Sequence, residues 1–350
     1  MSTSLPQDDL DLVLSLTPTF WARFGGARLF ITGGTGFIGT WLLQVIQRAN
    51  DRLNTKIEIV VLTRSPSRAL KLPHVFNRAD TTLLGGDVID FSCSIGRLDL
   101  CIHAATDVGD PVKTADPIKL FDSIVLGTRH VLDLAQANGV SRFLLTSSGA
   151  IYGTQPTDLE YIPETYRGAP DSILLGSAYG NGKRAAEWLA CTYAAQAHDE
   201  FDSAIARIFA LIGPGLPLNG PFAVGNFIRD AMSGTPIKVK GDGRPIRSYL
   251  YMADLCVWLL RILESGLSGQ AYNVGSEKVV SIQQLAEHVV VASGFNVPIH
   301  ITLPSNSDAL PPRYVPDTSR ARQTLGLTEF TSLQTALSKT IEWNRSSAPL

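Results

Sequence analysis

The stretch LFITGGTGFIG, residues Leu29 to Gly39, decides the fold. Leu29, Phe30 and Ile31 read as the end of a buried strand, and Gly33, Gly36 and Gly39 follow three apart. Glycines at that spacing have separate tasks: one makes a tight turn, one lets backbone approach a pyrophosphate, and one lets the next helix pack closely on the strand. The amphipathic run Phe37, Trp41, Leu42, Val45, Ile46 supplies that helix. Amides at a helix start face outward, and the helix dipole favours an anion there. A glycine-rich strand–helix turn without a ligand has the same spacing, so the strand before and the helix after carry the weight.

Bulk properties narrow the classes. The chain has 350 residues, 45% of them hydrophobic and 18% charged, with a net charge of −2. That suits one large domain, or a large and a small one sharing a cleft. It excludes a disordered chain and argues against a basic surface for nucleic acid or membrane. Cys93, Cys101, Cys191 and Cys256 are scattered without metal-ligand spacing, and read as buried free thiols in a reducing compartment. Residues 1–20 hold Asp8, Asp9 and Asp11 and no basic residue, unlike a signal peptide, and no apolar run nears membrane-spanning length. The expectation is a cytoplasmic protein with no metal.

Beyond a polar start, a short helix around Leu10–Leu16 and an aromatic lead-in at Phe20 and Trp21, strands and helices alternate. Strands are expected at Lys56–Thr63, Thr82–Leu84, Leu98–Ile102 and Arg142–Thr146, with a helix over 117–138. That alternation predicts an α/β, Rossmann-type doubly wound parallel sheet, which binds ligands at the carboxyl ends of its strands. In the second half, Ala204–Ala210 and Pro236–Lys240 read as strands, and 223–233, 254–265, 281–292 and 331–343 as helices.

The junction after the second strand bears on the cofactor. A carboxylate there accepts the ribose 2′-hydroxyl of NAD, whereas an arginine accommodates the 2′-phosphate of NADP. No acid lies between Val60 and Ala69, and Arg64 stands in its place, so NADP is favoured with NAD open. Asp87 reads equally as an adenine contact or a turn carboxylate. The small residues Ala104 and Ala105 let backbone pass close to a cofactor, and His103 reads as a packed core histidine.

Tyr179 and Lys183 are four apart and share a helix face. A tyrosine hydroxyl titrates near 10, so acid/base work near neutrality needs a shift of about three units, roughly 4 kcal/mol. A lysine ammonium and a positive nicotinamide ring favour the phenolate. Ser148, at the end of the strand that begins at Arg142, is placed to donate a hydrogen bond to the reacting oxygen. A tyrosine–lysine pair alone is commonest as a surface pair; the glycine turn and the strand-end serine change that. Gly180 and Gly182 between them each cost a helix interior about 1 kcal/mol, and close packing on cofactor or sheet is the one reason the sequence offers.

Taken together, Thr32–Gly39, His103-Ala104-Ala105, Thr146–Gly153, Tyr179 with Lys183, Gly213-Pro214-Gly215, Gly241-Asp242-Gly243, Arg247, Tyr272–Gly275 and Asp317–Ala321 resemble the extended short-chain dehydrogenases/reductases of the nucleotide-sugar epimerase/dehydratase family. The resemblance runs from about residue 28 to 345. It implies a lead-in over 1–27, a Rossmann domain with the catalytic residues over 28–205, and a smaller, mainly sugar-nucleotide-binding α/β domain over 206–350, with the chain crossing between the two. It implies Ser148, Tyr179 and Lys183 as the catalytic trio. It places Gly33, Thr35, Gly36, Phe37, Ile38, Gly39, Arg64, Asp87, Ala104, Ala105, Tyr179 and Lys183 at NAD(P). It places Ser148, Asn226, Val239, Arg247 and Arg313 at a nucleotide-diphosphate sugar, and it implies a homodimer. The implied activity is a 4-ketoreductase or 4-epimerase. The 4,6-dehydratases it resembles carry an Asp-Glu pair where this chain has Gly149 and Ala150, which disfavours dehydration. An oxidoreductase of a non-nucleotide alcohol and a non-catalytic dinucleotide-binding sensor are the competing classes on the same fold.

Overall fold

The computed structural model describes residues 4–92, 95–106, 116–197, 200–304 and 310–347. Its centre is a seven-stranded parallel sheet. The glycine turn follows strand β1 (Arg28–Thr32), and β2 (Glu58–Thr63), β3 (Thr81–Gly85), β4 (Leu100–His103), β5 (Arg142–Ser148) and β6 (Asp202–Ile208) join it. Two further pieces, β7 (Leu211–Ile212) and β8 (Ile237–Val239), lie outside this sheet, as do β9 (Ile246–Ser248) and β10 (Leu250–Tyr251), but β11 (Ala271–Val274) returns to it. The order is β11-β6-β5-β4-β1-β2-β3, reversing direction between β1 and β4. Residues past 206 thus supply an edge strand of the large sheet, parallel to β6 with Ala271 opposite Ile205.

Strand residues alternate between two cores. Leu29 and Ile31 face a layer that includes Trp41, Val45, Leu255 and Leu259, whereas Phe30, Val60, Cys101 and Phe143 face Leu120, Val131, Ala186 and Ala190. Both faces are covered, which is why the strands read as continuous apolar runs. The helices of the N-terminal half are α1 (Gln7–Leu16), α2 (Pro18–Phe24), α3 (Phe37–Leu53), the single turns α4 (Pro66–Ala69) and α5 (Pro73–Phe76), α6 (Pro117–Ala137) and α7 (Ala178–Gln196). Asp116 caps α6 by accepting from Ile118 and Lys119 N–H, both at 3.1 Å, with Pro117 at the first helical position.

The C-terminal half adds α8 (Ala223–Met232), α9 (Met252–Ser265), α10 (Ile282–Ser293), α11 (Ser319–Leu325) and α12 (Leu333–Ser347), with strands β12 (Val279–Ser281), β13 (Ile299–Ile301) and β14 (Arg313–Tyr314). Strand β9 lies between β12 and β14 in a small mixed sheet, and β13 pairs with β8. Strand boundaries move from the sequence expectation by two or so residues where a neighbouring strand takes over: β6 ends at Ile208 because Leu211–Ile212 pairs with β10.

Phe20 and Trp21 sit on α2 and are buried, so the aromatic lead-in is part of the main core. Asp9 of α1 is buried, accepts from Tyr251 Oη at 2.6 Å and pairs with Lys339 Nζ of α12. Cys101 and Cys256 are buried, and burial pushes both thiols up. Cys191 is only half-buried, against the expectation, because it lies toward the outer end of α7; Cys93 lies outside the described residues.

Candidate active site

The carboxyl edge of the sheet, where its order reverses, is the ligand side of such a fold. There Gly33 has φ +71°, and a Cβ on it would come to 2.5 Å from Ala104 O; a Cβ on Gly39 would come to 2.2 Å from Gly33 O. Turn, helix start and the end of β4 therefore touch through bare backbone. Gly36 N–H donates to Gly33 O at 2.9 Å, and Gly36 caps α3 with no side-chain bond. The first amides of a helix have no acceptor within it; those of Phe37, Ile38 and Gly39 adjoin exposed Thr35 and Gly36. This open cradle fits a pyrophosphate.

His103 is structural. Ala104 and Ala105 N–H donate to Thr32 Oγ1, which bonds His103 Nδ1 at 2.7 Å; His103 Nε2 bonds Thr128 Oγ1 at 3.0 Å, whose own hydrogen goes to Ile124 O. Satisfying every group leaves a neutral ring protonated on Nε2. Burial lowers its pKa to about 3. The amides of Ala104 and Ala105 are thereby occupied, leaving their carbonyls and methyls at the cleft. Arg64 is exposed just past β2. Asp87 Oδ1 accepts Ile89 N–H at 3.1 Å and its carbonyl accepts Phe91 N–H, the pattern of a turn carboxylate.

Ser148 ends β5 and Tyr179 and Lys183 lie on one face of α7, brought together because α7 packs on β5 and on the 3₁₀ turn Gly149–Tyr152. Lys183 is buried and donates from Nζ to Thr146 O at 2.8 Å. Burial lowers its pKa to about 8, with Glu187 one turn on opposing the shift. Burial raises the Tyr179 phenol, and a hydrogen bond with Ser148 pulls it back. Desolvation is the larger of the two effects.

Gly180 and Gly182 are explained by their neighbours. A Cβ at Gly180 would meet Ala150 O at 2.7 Å, and one at Gly182 would meet Ile124 of α6 at 3.3 Å. They seat α7 against the turn and the neighbouring helix.

Of the residues expected at the substrate, Ser148 and Arg247 both lie near Tyr314, whose strand is in register with Arg247 and whose hydroxyl reaches Gly149, the residue after Ser148. Arg247 is half-buried, donates only to the carbonyls of Ile246 (2.8 Å) and Pro312 (3.4 Å), and lies over the Tyr314 ring at 6.0 Å; no carboxylate pairs with it among the described residues. The other three make bonds within the protein. Val239 is fully buried in the main core, and its carbonyl accepts Thr302 N–H just past β13, the strand paired edge to edge with β8. The amide of Asn226 bonds Gly220 O and Arg229 within its own turn. Arg313 Nε donates to Glu160 O, on the opposite side of β14 from Tyr314.

Sequence reasoning missed Tyr314 and the buried group behind α7. Glu187 accepts from Ser147 Oγ at 2.5 Å and pairs with Arg207 at 2.7 Å, which also bonds Tyr152 Oη at 2.9 Å. The four-residue step Tyr179, Lys183, Glu187 was the available signal for the glutamate. Among the described residues no cluster could hold a metal ion, and no helix is long and apolar enough to cross a membrane.

A doubly wound parallel sheet with a glycine turn after its first strand makes this an α/β protein of the Rossmann class. The chain belongs to the NAD dependent epimerase/dehydratase family, whose profile matches residues 29–275. It is 31% identical over 312 residues to UDP-glucuronic acid decarboxylase 2 of Arabidopsis thaliana, covering 89% of this chain and about two thirds (67%) of that protein. Its fold is that of the UDP-glucose 4-epimerase of Thermotoga maritima solved with UDP-glucose (TM-score 0.77, 22% identity, 91% of this chain and 99% of that one). It also matches RMD from Pseudomonas aeruginosa complexed with NADPH (TM-score 0.71, 23% identity, 92% and 100%).

Proposed function

We propose that this protein oxidises or reduces a nucleotide-diphosphate sugar at a ring carbon, C4, as a 4-ketoreductase or 4-epimerase. The observation that carries the reading is the placement of Ser148 at the end of β5 and of Tyr179 and Lys183 on one face of α7, which packs on β5, at the strand ends that carry the glycine turn. NAD(P), when bound, supplies or takes up hydride; Gly33, Thr35, Gly36 and the amides of Phe37, Ile38 and Gly39 hold its phosphates. Tyr179 gives its proton to the C4 oxygen in reduction and takes it back in oxidation. Ser148 donates a hydrogen bond to that oxygen. Lys183 keeps a positive charge near the phenol, and Arg247 neutralises the diphosphate, for which a fixed guanidinium is suited. Residues 28–205 form the cofactor side and 206–350 most of the substrate side.

Arg64 supports NADP and a reductase; without an acid after β2 the NAD ribose has no carboxylate to meet there. Against dehydration stands Gly149: a Cβ there would come to 2.5 Å from Tyr314 Oη and 2.7 Å from Phe209 Cζ, so a carboxylate has no room. The decarboxylase relatives favour a second reading, in which oxidation is followed by loss of carbon dioxide from a uronic acid.

The test supplies UDP-, dTDP-, CDP- and GDP-sugars, UDP-glucuronic acid included, with each nicotinamide, and identifies products by mass spectrometry. Turnover of unchanged or hydrogen-shifted mass that Tyr179→Phe abolishes is expected. Carbon dioxide release would establish the second reading. Turnover retained in Tyr179→Phe would refute both.

A further inference from the structure

Helix α7 carries a buried carboxylate to which the proposed hydride and proton transfers give no task. Glu187 lies one turn beyond Lys183, and side chains four apart on a helix adjoin. Two bonds fasten this face of α7 to β5. Lys183 Nζ donates to Thr146 O at 2.8 Å, and the next residue of the strand, Ser147, donates from Oγ to Glu187 Oε1 at 2.5 Å. Arg207 of β6 also holds the carboxylate, with Nη2 2.7 Å from Oε2 and Nε 3.1 Å from Oε1. The guanidinium is fixed in turn, since its Nη1 donates to Tyr152 Oη at 2.9 Å and to Glu164 O at 3.2 Å. The Glu187 and Arg207 side chains keep only 10% and 15% of their surface exposed.

Burial disfavours the charged form of a lysine, and a carboxylate close by restores it. Lys183 is buried among few charges. Glu187 acts on it from the next turn of α7, Tyr179 stands one turn before it, and His103 on β4, which it also faces, is neutral. Strand β5 offers it a carbonyl, and α6 meets this part of α7 through Ile124. We propose that Glu187 is a positioning residue for the acid–base pair: pinned by Ser147 and Arg207, it holds a fixed negative charge one turn from the Lys183 ammonium and so keeps that buried cation charged. Arg207, always protonated, cancels part of the field and sets how much of it Lys183 feels. Fastening alone does not call for ions, because apolar side chains of the same volume hold a helix as well as a buried ion pair does. What this pair adds is the sign of the field at Lys183.

The inference rests on the proposed role of Lys183, so its test has an arm that needs no turnover. Lysine isotopically labelled at Cε is titrated by NMR in the full chain, and Lys183→Met identifies the Lys183 signal. Glu187→Gln keeps an oxygen for Ser147 and Arg207 and removes the charge, so it should lower the Lys183 midpoint by about 1 unit. Arg207→Gln leaves the carboxylate uncompensated and should raise the midpoint by about 0.5 unit or more. Each single change strands one buried charge; the double variant Glu187→Gln/Arg207→Gln strands none, and its midpoint should lie between those of Glu187→Gln and the parent. Midpoints that do not move, single variants that move the same way, or a double variant at the parent's midpoint overturn the proposal. With a substrate in hand and Lys183 titrating at about 8, Glu187→Gln should turn over about fivefold more slowly than the parent near pH 8 but only about twofold more slowly near pH 7. A loss of equal size at both pH values is that of a merely structural residue and overturns it. Failure of every nucleotide sugar to turn over refutes the proposed function alone, and the titration still decides Glu187.

Discussion

At the scale of single residues, the site is set by what burial does to two ionisable groups. Tyr179 is pushed up and Lys183 is brought down to about 8. A lysine with a lowered pKa is charged below that value and neutral above it, so the cation beside the phenol is present at pH 7 and lost as pH rises through about 8. Reduction should therefore decline above about pH 8 in a kcat profile, and Lys183→Met should lose that alkaline limb together with about 100-fold or more of the rate. A limb that survives in Lys183→Met belongs to another group. The tyrosine–lysine step was legible in sequence because helix periodicity is local. Tyr314 was not, since its hydroxyl comes to Gly149 from the far side of the fold. An apolar strand residue such as Val239 looks the same in sequence whether it borders a ligand or packs in a core, and here it is fully buried in the main core.

At the scale of elements, the helix that carries the acid–base pair is held by contacts that helix propensity opposes. Gly180 and Gly182 weaken α7 locally and let it approach the Gly149–Tyr152 turn and α6. Replacing Gly180 by alanine gains about 1 kcal/mol of helix propensity, but drives a methyl to 2.7 Å from Ala150 O and 2.6 Å from Pro170 Cγ. Overpacking of that kind costs about 1–3 kcal/mol. Gly180→Ala should thus be neutral to destabilising by up to about 2 kcal/mol in urea unfolding, and should lower kcat by moving Tyr179, which is next to it. A stabilised variant with full activity would show that α7 has slack. The phosphate turn was the most legible element, because its constraints lie within eleven neighbouring positions; the small mixed sheet around β9 was invisible, since its strands are two or three residues long and come from three separate stretches.

At the scale of the whole molecule, the ends of the chain close on the body of the fold. Asp9 joins α1 to Tyr251 and to Lys339 of α12, so the first and last helices share one buried ion pair. Asp9→Ala strands the lysine and should cost about 2 kcal/mol in urea unfolding; the loss stays below that of a sealed pair because Lys339 keeps 35% of its side-chain surface exposed. A second long-range tie depends on pH. Asp254, on the first turn of α9, is fully buried; its Oδ1 accepts Phe330 N–H at 2.7 Å and Thr331 N–H at 3.2 Å just ahead of α12, while Oδ2 has no partner among the described residues. Desolvation raises its pKa to about 6, and the Thr331 hydroxyl and the two backbone donors offset only part of that. A carboxyl whose folded pKa lies above its unfolded value binds more protons in the native state, so its contribution falls as pH rises from about 4 to about 6. The loss over that window is about 3 kcal/mol. Asp254→Asn keeps the oxygen that Phe330 and Thr331 need and carries no charge at any pH. It should therefore flatten the decline between pH 4 and 6 and be most stabilising, relative to the parent, above pH 6. Urea midpoints of the two proteins across that range decide it: curves that stay parallel would mean Asp254 is charged in the folded state throughout, and that its neighbours solvate it far better than the Thr331 hydroxyl and two amides account for.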